Sequence, residues 1–334
     1  VQIGKSYPSP SLRLASLDTL RGAAILAVIC SHILGAFSLT ETLDNSFLYL
    51  GRGGVTLFFL LSGYLIFRNV QAQPITTFIC RRFFKVMPAY WCNIIVILIA
   101  DLSIDNFSHF SIRSYLASLL VVSDVLGIQA VSGVFWTLLI EIKFYVFIAL
   151  QYAFFGRRHI HAILALLILL NLTFWAARGH GSLTLVYFPV FYLGIEIALA
   201  EEALWQRSTL ARLIVVALVL AGNLYLCLDQ QALAAAGYLL GCAIFFVVIL
   251  RKNLSNRLAG LLGVTSYSNY LYHSIVVGSV FMIVSPHSGP TSIVAVVVAF
   301  IATTIIAAAF YGLVEVPMVR FGRLLSGRRA VFPK

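Results

Sequence analysis

Ten stretches of this chain are long and apolar enough to cross a lipid bilayer, which restricts the fold to bundled helices. They fall near residues 18–39, 49–69, 84–102, 134–155, 160–177, 184–202, 209–228, 232–250, 260–284 and 291–316. A hydrocarbon core about 30 Å thick takes roughly 20 helical residues to span. Inside it every backbone N–H and C=O must be bonded within the segment, which an α-helix achieves alone. The chain is 61% hydrophobic and 10% charged, with a mean hydropathy of +0.97. Those values exclude a soluble globular domain of this size. The expectation is an all-α, polytopic membrane protein, a bundle of about ten transmembrane helices forming one domain over residues 1–334. The first apolar run is too long for a cleaved leader and no small-residue cleavage site follows it.

Charge placement sets the direction of the spans. The net charge of +11 would suggest a nucleic-acid ligand in a soluble protein, but here it marks loops. With both termini cytoplasmic, the outer segments hold only Arg52, Arg113 and Arg178, and the spans hold Arg21 and Lys143. Every other lysine and arginine then lies on the inner side, as the positive-inside rule requires. Counting the short, serine-bearing run 113–129 as a further span would put Arg157 and Arg158 outside. It is therefore expected to lie at the outer interface or re-enter the membrane. The five cysteines, Cys30, Cys80, Cys92, Cys227 and Cys242, are scattered without C-x-x-C or Cys/His spacing. Neither a metal site nor a disulfide framework is expected.

Within the spans, ionisable residues are the functional candidates, because they are costly to keep there. Arg21 and His32 are eleven residues apart, a rotation that returns to within roughly 20°, so they share one helix face about 16 Å apart along the axis. Arg21 could simply snorkel to the headgroups, and His32 could bond a neighbouring helix. Together they suggest a cation that grips phosphate and an imidazole that acts as a general base. Arg81, Arg82 and Lys85 open the third span. They read either as ordinary anchoring or as an electropositive collar for an anionic cytosolic substrate. Glu141, buried in the fourth span, must face the bundle interior or a wet cavity. Lys143, two residues on, can snorkel. His273 lies mid-way along the ninth span, where an interhelical hydrogen bond competes with catalysis. Glu315 is expected to be captured by nearby arginines. Gly51, Gly53, Gly54 and Gly63 of the second span permit close helix packing, and Ser62 reads as structural.

Taken in order, these motifs resemble acyltransferase family 3, integral-membrane O-acyltransferases of bacterial polysaccharides, lipids and other glycoconjugates. The resemblance runs through Arg-x10-His (Arg21, His32) and G-x-x-G-V-x-x-F-F-x-x-S-G (Gly51 to Gly63). It continues in R-R-x-x-K-x-x-P-x-Y-W (Arg81 to Trp91) and W-T-L-x-x-E-x-x-F-Y (Trp136 to Tyr145). Y-S-x-Y-L-x-H (Tyr267 to His273) and E-x-P (Glu315 to Pro317) complete it. It implies an acyl-CoA donor, most simply acetyl-CoA, bound from the cytoplasm as co-substrate, with no bound cofactor. It also implies His32 as the essential catalytic group. Two departures stand out: Thr56 replaces a frequent aspartate, and Lys85 replaces a third arginine. The extracytoplasmic hydrolase-like domain of many relatives is not expected.

The resulting expectation is an O-acyltransferase of the bacterial inner membrane, acting on a hydroxyl of a cell-surface or exported glycan. Arg21, Arg81, Arg82 and Lys85 would hold the donor. His32 would serve as catalytic base or transient acyl carrier, with Glu141 and His273 orienting it or the acceptor. A proton-coupled secondary transporter is the alternative from another class, although no internal repeat supports it. A non-catalytic acyl-CoA sensor is a third.

Overall fold

The computed structural model describes residues 10–37, 46–103, 110–157, 159–178, 183–202, 238–245, 255–284 and 290–327. The expected spans 209–228 and 232–250 lie outside them, apart from a helical segment at 238–245. Among the described residues the regular structure is entirely helical. The first seven helices are α1 (Pro10–Phe37), α2 (Ser46–Gln71), α3 (Ile75–Ser103), α4 (Ile112–Leu119), α5 (Phe135–Phe155), α6 (Ile160–Arg178) and α7 (Leu183–Glu202). After the 238–245 segment come α8 (Arg257–Val264), α9 (Ser266–Val284), α10 (Pro290–Phe310), a π-helical turn (Tyr311–Glu315) and α11 (Val316–Leu325). Six of the described helical stretches are long and apolar enough to cross a membrane, and the protein is a multi-pass membrane protein.

Close backbone approach holds the centre of the bundle. A Cβ on Gly63 would stand 1.9 Å from the carbonyl oxygen of Phe191, and one on Gly194 would stand 2.2 Å from that of Leu60. Helices α2 and α7 therefore touch backbone to backbone, an arrangement open only to residues without a side chain. Gly22 and Gly263 do the same between α1 and α8, against Ala259 and Asp18. Aromatic rings fill the space around these contacts; Phe144 stacks on Phe191 with centroids 4.1 Å apart. Lipid-side faces, such as Leu166, Leu169 and Leu170 of α6, stay exposed and apolar.

Three elements differ from simple spanning helices. Helix α4 has eight residues, about 12 Å at 1.5 Å per residue, too short to cross. Ser111 caps it, its side chain accepting from the Ser114 amide. Tyr90 and Trp91 of α3 then donate to the carbonyls of Ser118 and Leu119, fixing this segment to the bundle. The expected run 260–284 is interrupted: α8 ends at Val264 and α9 begins at Ser266. Asn269 donates from its amide to both the carbonyl and the hydroxyl of Thr265, holding the break. Finally, the last run widens into the π-turn just before Pro317. Proline supplies no N–H, and its ring crowds the carbonyl four residues earlier, so the preceding turn opens.

Candidate active site

The cavity at the heart of the bundle is walled by α1, α2, α3, α5 and α9 and has a volume of about 100 Å³. A buried water needs roughly 10–15 Å³ by this measure, so the space takes several waters or the tip of a flexible chain. One end is charged. Arg21, Arg82, Lys85 and Glu141 all line it, with Ser62 beside Glu141. The other end is lined by Val55, Phe58, Thr137 and Tyr270.

Each charged group is placed by its own helix. Glu141, one α-turn inside Thr137, accepts on a single oxygen from Ser62 Oγ at 2.6 Å and from Tyr145 hydroxyl at 2.7 Å. Ser62, expected to be merely structural, therefore holds a carboxylate in the cavity. The Arg82 guanidinium lies over the rings of Tyr145 and Phe78, 5.4 and 5.7 Å from their centroids, a cation–π arrangement, and it also interacts with the Tyr145 hydroxyl. Arg21 donates to Asp18 of its own helix at 3.1 Å. Lys85 sits in the combined field of Arg21, Arg82, Glu141 and Glu315 and pairs directly with none of the described residues.

Glu315 behaves differently from the expectation that arginines capture it. The π-turn rotates it inward, where it is 6% exposed. There it accepts from Ser268 Oγ at 2.9 Å. It reaches Lys85 and Arg21 only through longer-range electrostatics. Lys143 does not need to snorkel, because it pairs with Asp124 of the segment that follows α4.

The two histidines lie beyond the apolar end. His32 and His273 meet edge to face with ring centroids 4.8 Å apart. Neither is among the residues lining the cavity; Tyr270 is the link. It lines the cavity and stands 5.6 Å from the His273 ring, centroid to centroid. Its hydroxyl donates to the Val134 carbonyl at 2.5 Å and shares a hydrogen bond with Thr137. Arg81, grouped with the donor-binding residues by its sequence neighbours, is also absent from the cavity. It faces the C-terminal end, donating to Ser326 Oγ at 2.9 Å, Gln73 at 2.8 Å and the Gly327 carbonyl at 3.3 Å. The structure thus brings together Arg21, Arg82, Lys85 and Glu141 in one place and His32 with His273 in an adjoining one. Sequence reasoning missed Tyr145, Thr137 and Tyr270 as cavity residues, although all three lie within motifs it quoted.

A model of acyltransferase family 3, described as an acyltransferase domain, matches residues 14–312. The chain belongs to that family. Among curated proteins it is 25% identical over 210 residues to nodulation protein 10 of Rhizobium leguminosarum bv. viciae, covering 56% of this chain and 57% of that protein. It is 25% identical over 214 residues to an O-acetyl transferase of Shigella phage Sf6, covering 57% of this chain and 64% of that one. Similarity to a peptidoglycan O-acetyltransferase of Listeria monocytogenes is 29% over 150 residues, 39% of this chain and 22% of the relative. The chain thus spans less than two thirds of the length of each of these three relatives. No solved structure matches it.

Proposed function

We propose that this protein transfers an acyl group, most simply acetyl, from acyl-CoA to a hydroxyl of a cell-surface or exported glycan. The observation that carries this reading is one cavity with a cationic end and an end that adjoins an imidazole. Arg21, Arg82 and Lys85 suit the phosphates of a CoA donor, arginine through its planar fork and lysine as a point charge. A cavity of about 100 Å³ does not hold the nucleotide. The nucleotide would rest at the cytoplasmic mouth while the slender uncharged arm carries the thioester towards Tyr270 and the histidines.

His32 supports a base role by its own bonding. Its Nδ1 lies 2.9 Å from the Val28 carbonyl. A carbonyl oxygen only accepts, so Nδ1 carries the proton and Nε2 keeps its lone pair. That nitrogen would remove the acceptor's hydroxyl proton as the oxygen attacks the thioester carbonyl. The carbon–sulfur bond then breaks, and the proton passes to the leaving thiolate. Similarity to proteins named as O-acetyltransferases, one of them acting on peptidoglycan, supports an oxygen acceptor on a glycan. Family membership favours an enzyme over a transporter. The charge bias of the loops supports cytoplasmic termini, and similarity to bacterial proteins supports placement in a bacterial inner membrane.

The test uses the full chain in proteoliposomes with labelled acetyl-CoA and a panel of p-nitrophenyl hexosides and N-acetylhexosaminides. Label should pass to a glycoside hydroxyl, and His32→Ala should abolish transfer by at least a thousandfold while inserting and unfolding like wild type. Near-normal transfer by that variant would refute the mechanism.

A further inference from the structure

The apolar end of the cavity is bordered by a collar of side chains from three helices. On α2, Val55, Phe58, Ser62 and Leu65 all line the cavity, and their spacing of three and four residues puts them on one helix face. Phe58 precedes Ser62 by one turn, about 6 Å along the axis. On α5, Thr137 precedes Glu141 by the same interval. Ser62 donates to Glu141 at 2.6 Å, which sets the two helices in register. Tyr270 of α9 meets the next turn of both. Its hydroxyl shares a hydrogen bond with Thr137, and its ring stands edge to face with that of Phe58, centroids 6.4 Å apart. Phe58, Thr137 and Tyr270 thus gather one turn beyond the charged end, with the His273 ring 5.6 Å from that of Tyr270.

The three side chains are held differently. Tyr270 also donates to the Val134 carbonyl at 2.5 Å, so it and Thr137 are tied to each other and to the main chain. The Phe58 side chain can form no hydrogen bond, and Tyr270 is its one aromatic neighbour among the described residues. It is half-buried and contributes only bulk. We propose that Phe58 sets the size of the acyl group that this protein transfers. The phosphates stay at the charged end, so the acyl group is the leading tip of the donor. That tip has to fit between Phe58 and the Thr137–Tyr270 pair on its way to the histidines. A two-carbon group, no wider than the arm behind it, is accommodated; a branched or aromatic one meets the Phe58 ring. A misfit of one methylene in an apolar pocket already changes specificity about 10–200-fold.

This inference rests on the acyltransferase reading, and its test separates the two. Protein in proteoliposomes, with a glycoside that it acetylates, is given acetyl-, isobutyryl- or benzoyl-CoA, and release of the CoA thiol is followed. Wild type should favour acetyl over benzoyl at least fiftyfold in kcat/KM. Phe58→Ala should cut that preference at least tenfold and Phe58→Leu by an intermediate factor, with isobutyryl-CoA gaining in the same order. Because the readout is a ratio between donors on one preparation, a general loss of activity or of folded protein cancels. If Phe58→Ala does not fold, Phe58→Leu decides, with a threefold fall expected. The proposal is overturned if the ratio in the folded variant stays within twofold of wild type. It is equally overturned if wild type transfers benzoyl as readily as acetyl. Failure of wild type to use any of the three donors would instead refute the functional reading.

Discussion

The bond between Ser62 and Glu141 lends itself to a quantitative test. Glu141 receives two hydrogen bonds on one oxygen, at 2.6 and 2.7 Å. Bonds to an ionised acceptor contribute about 1.5–3 kcal/mol, and neutral ones about 0.5–1.5 kcal/mol. Ser62→Ala should therefore destabilise the protein by about 2 kcal/mol. Glu141→Gln keeps an acceptor oxygen but removes the charge, weakening both bonds by about 1 kcal/mol each, for a total near 2 kcal/mol. In the double variant only the Tyr145 bond remains to be weakened. The two substitutions should then fall short of additivity by about 1 kcal/mol, well above the scatter of about 0.3–0.5 kcal/mol seen for independent sites. Equilibrium unfolding by SDS in mixed micelles, followed by circular dichroism, gives the four free energies. Coupling below about 0.3 kcal/mol would mean that Ser62 does not hold an ionised Glu141, and the charged end of the cavity would need rebuilding on other grounds.

Other consequences are simpler to check. Asp18→Asn releases Arg21 from an ion pair whose side chains are about 30% exposed. Such pairs are worth about 0.2–1 kcal/mol, so binding of acetyl-CoA measured by calorimetry should tighten up to about fivefold. Arg81→Ala breaks three bonds to Ser326, Gln73 and Gly327. It should lower stability by about 1–3 kcal/mol while KM for acetyl-CoA stays within about twofold; a large rise in KM would return Arg81 to the donor site. Gly63→Ala drives a methyl group into the Phe191 carbonyl. It should cost about 3 kcal/mol or more in the same unfolding assay, whereas Gly278→Ala, with nothing within 4 Å, should cost little.

Hydropathy made the long helices legible because the bilayer reads the same property. It blurred where tertiary bonds, not composition, end a helix. The break at Thr265 depends on Asn269 turning back to it; the polar run Thr265, Ser266, Ser268 and Asn269 marks the place, but polar residues in a span do not by themselves say that the helix stops. Helix α3 starts at Ile75, nine residues before the expected span, since a helix can continue past the hydrocarbon into the headgroups. Ionisable residues stood out singly for the same energetic reason, but their partners did not. Ser62, Tyr145 and Tyr270 look like ordinary membrane-helix residues until α2, α5 and α9 are placed side by side. Arg81 and Arg82 are adjacent in sequence yet point to different neighbours, because successive residues on a helix are about 100° apart. His32 and His273 lie on helices far apart in the chain, and their meeting could be seen only in three dimensions.

The backbone contact between α2 and α7 also governs which way the protein can breathe. With Gly63 against Phe191 and Gly194 against Leu60, those two helices behave as a fixed frame with no slack to yield. A dilation of the cavity, such as the proposed donor's slender arm would require, is easier where α5 and α9 meet through the hydroxyls of Thr137 and Tyr270. A latch of two hydroxyl groups can swing aside and re-form; a seam of packed main chain cannot.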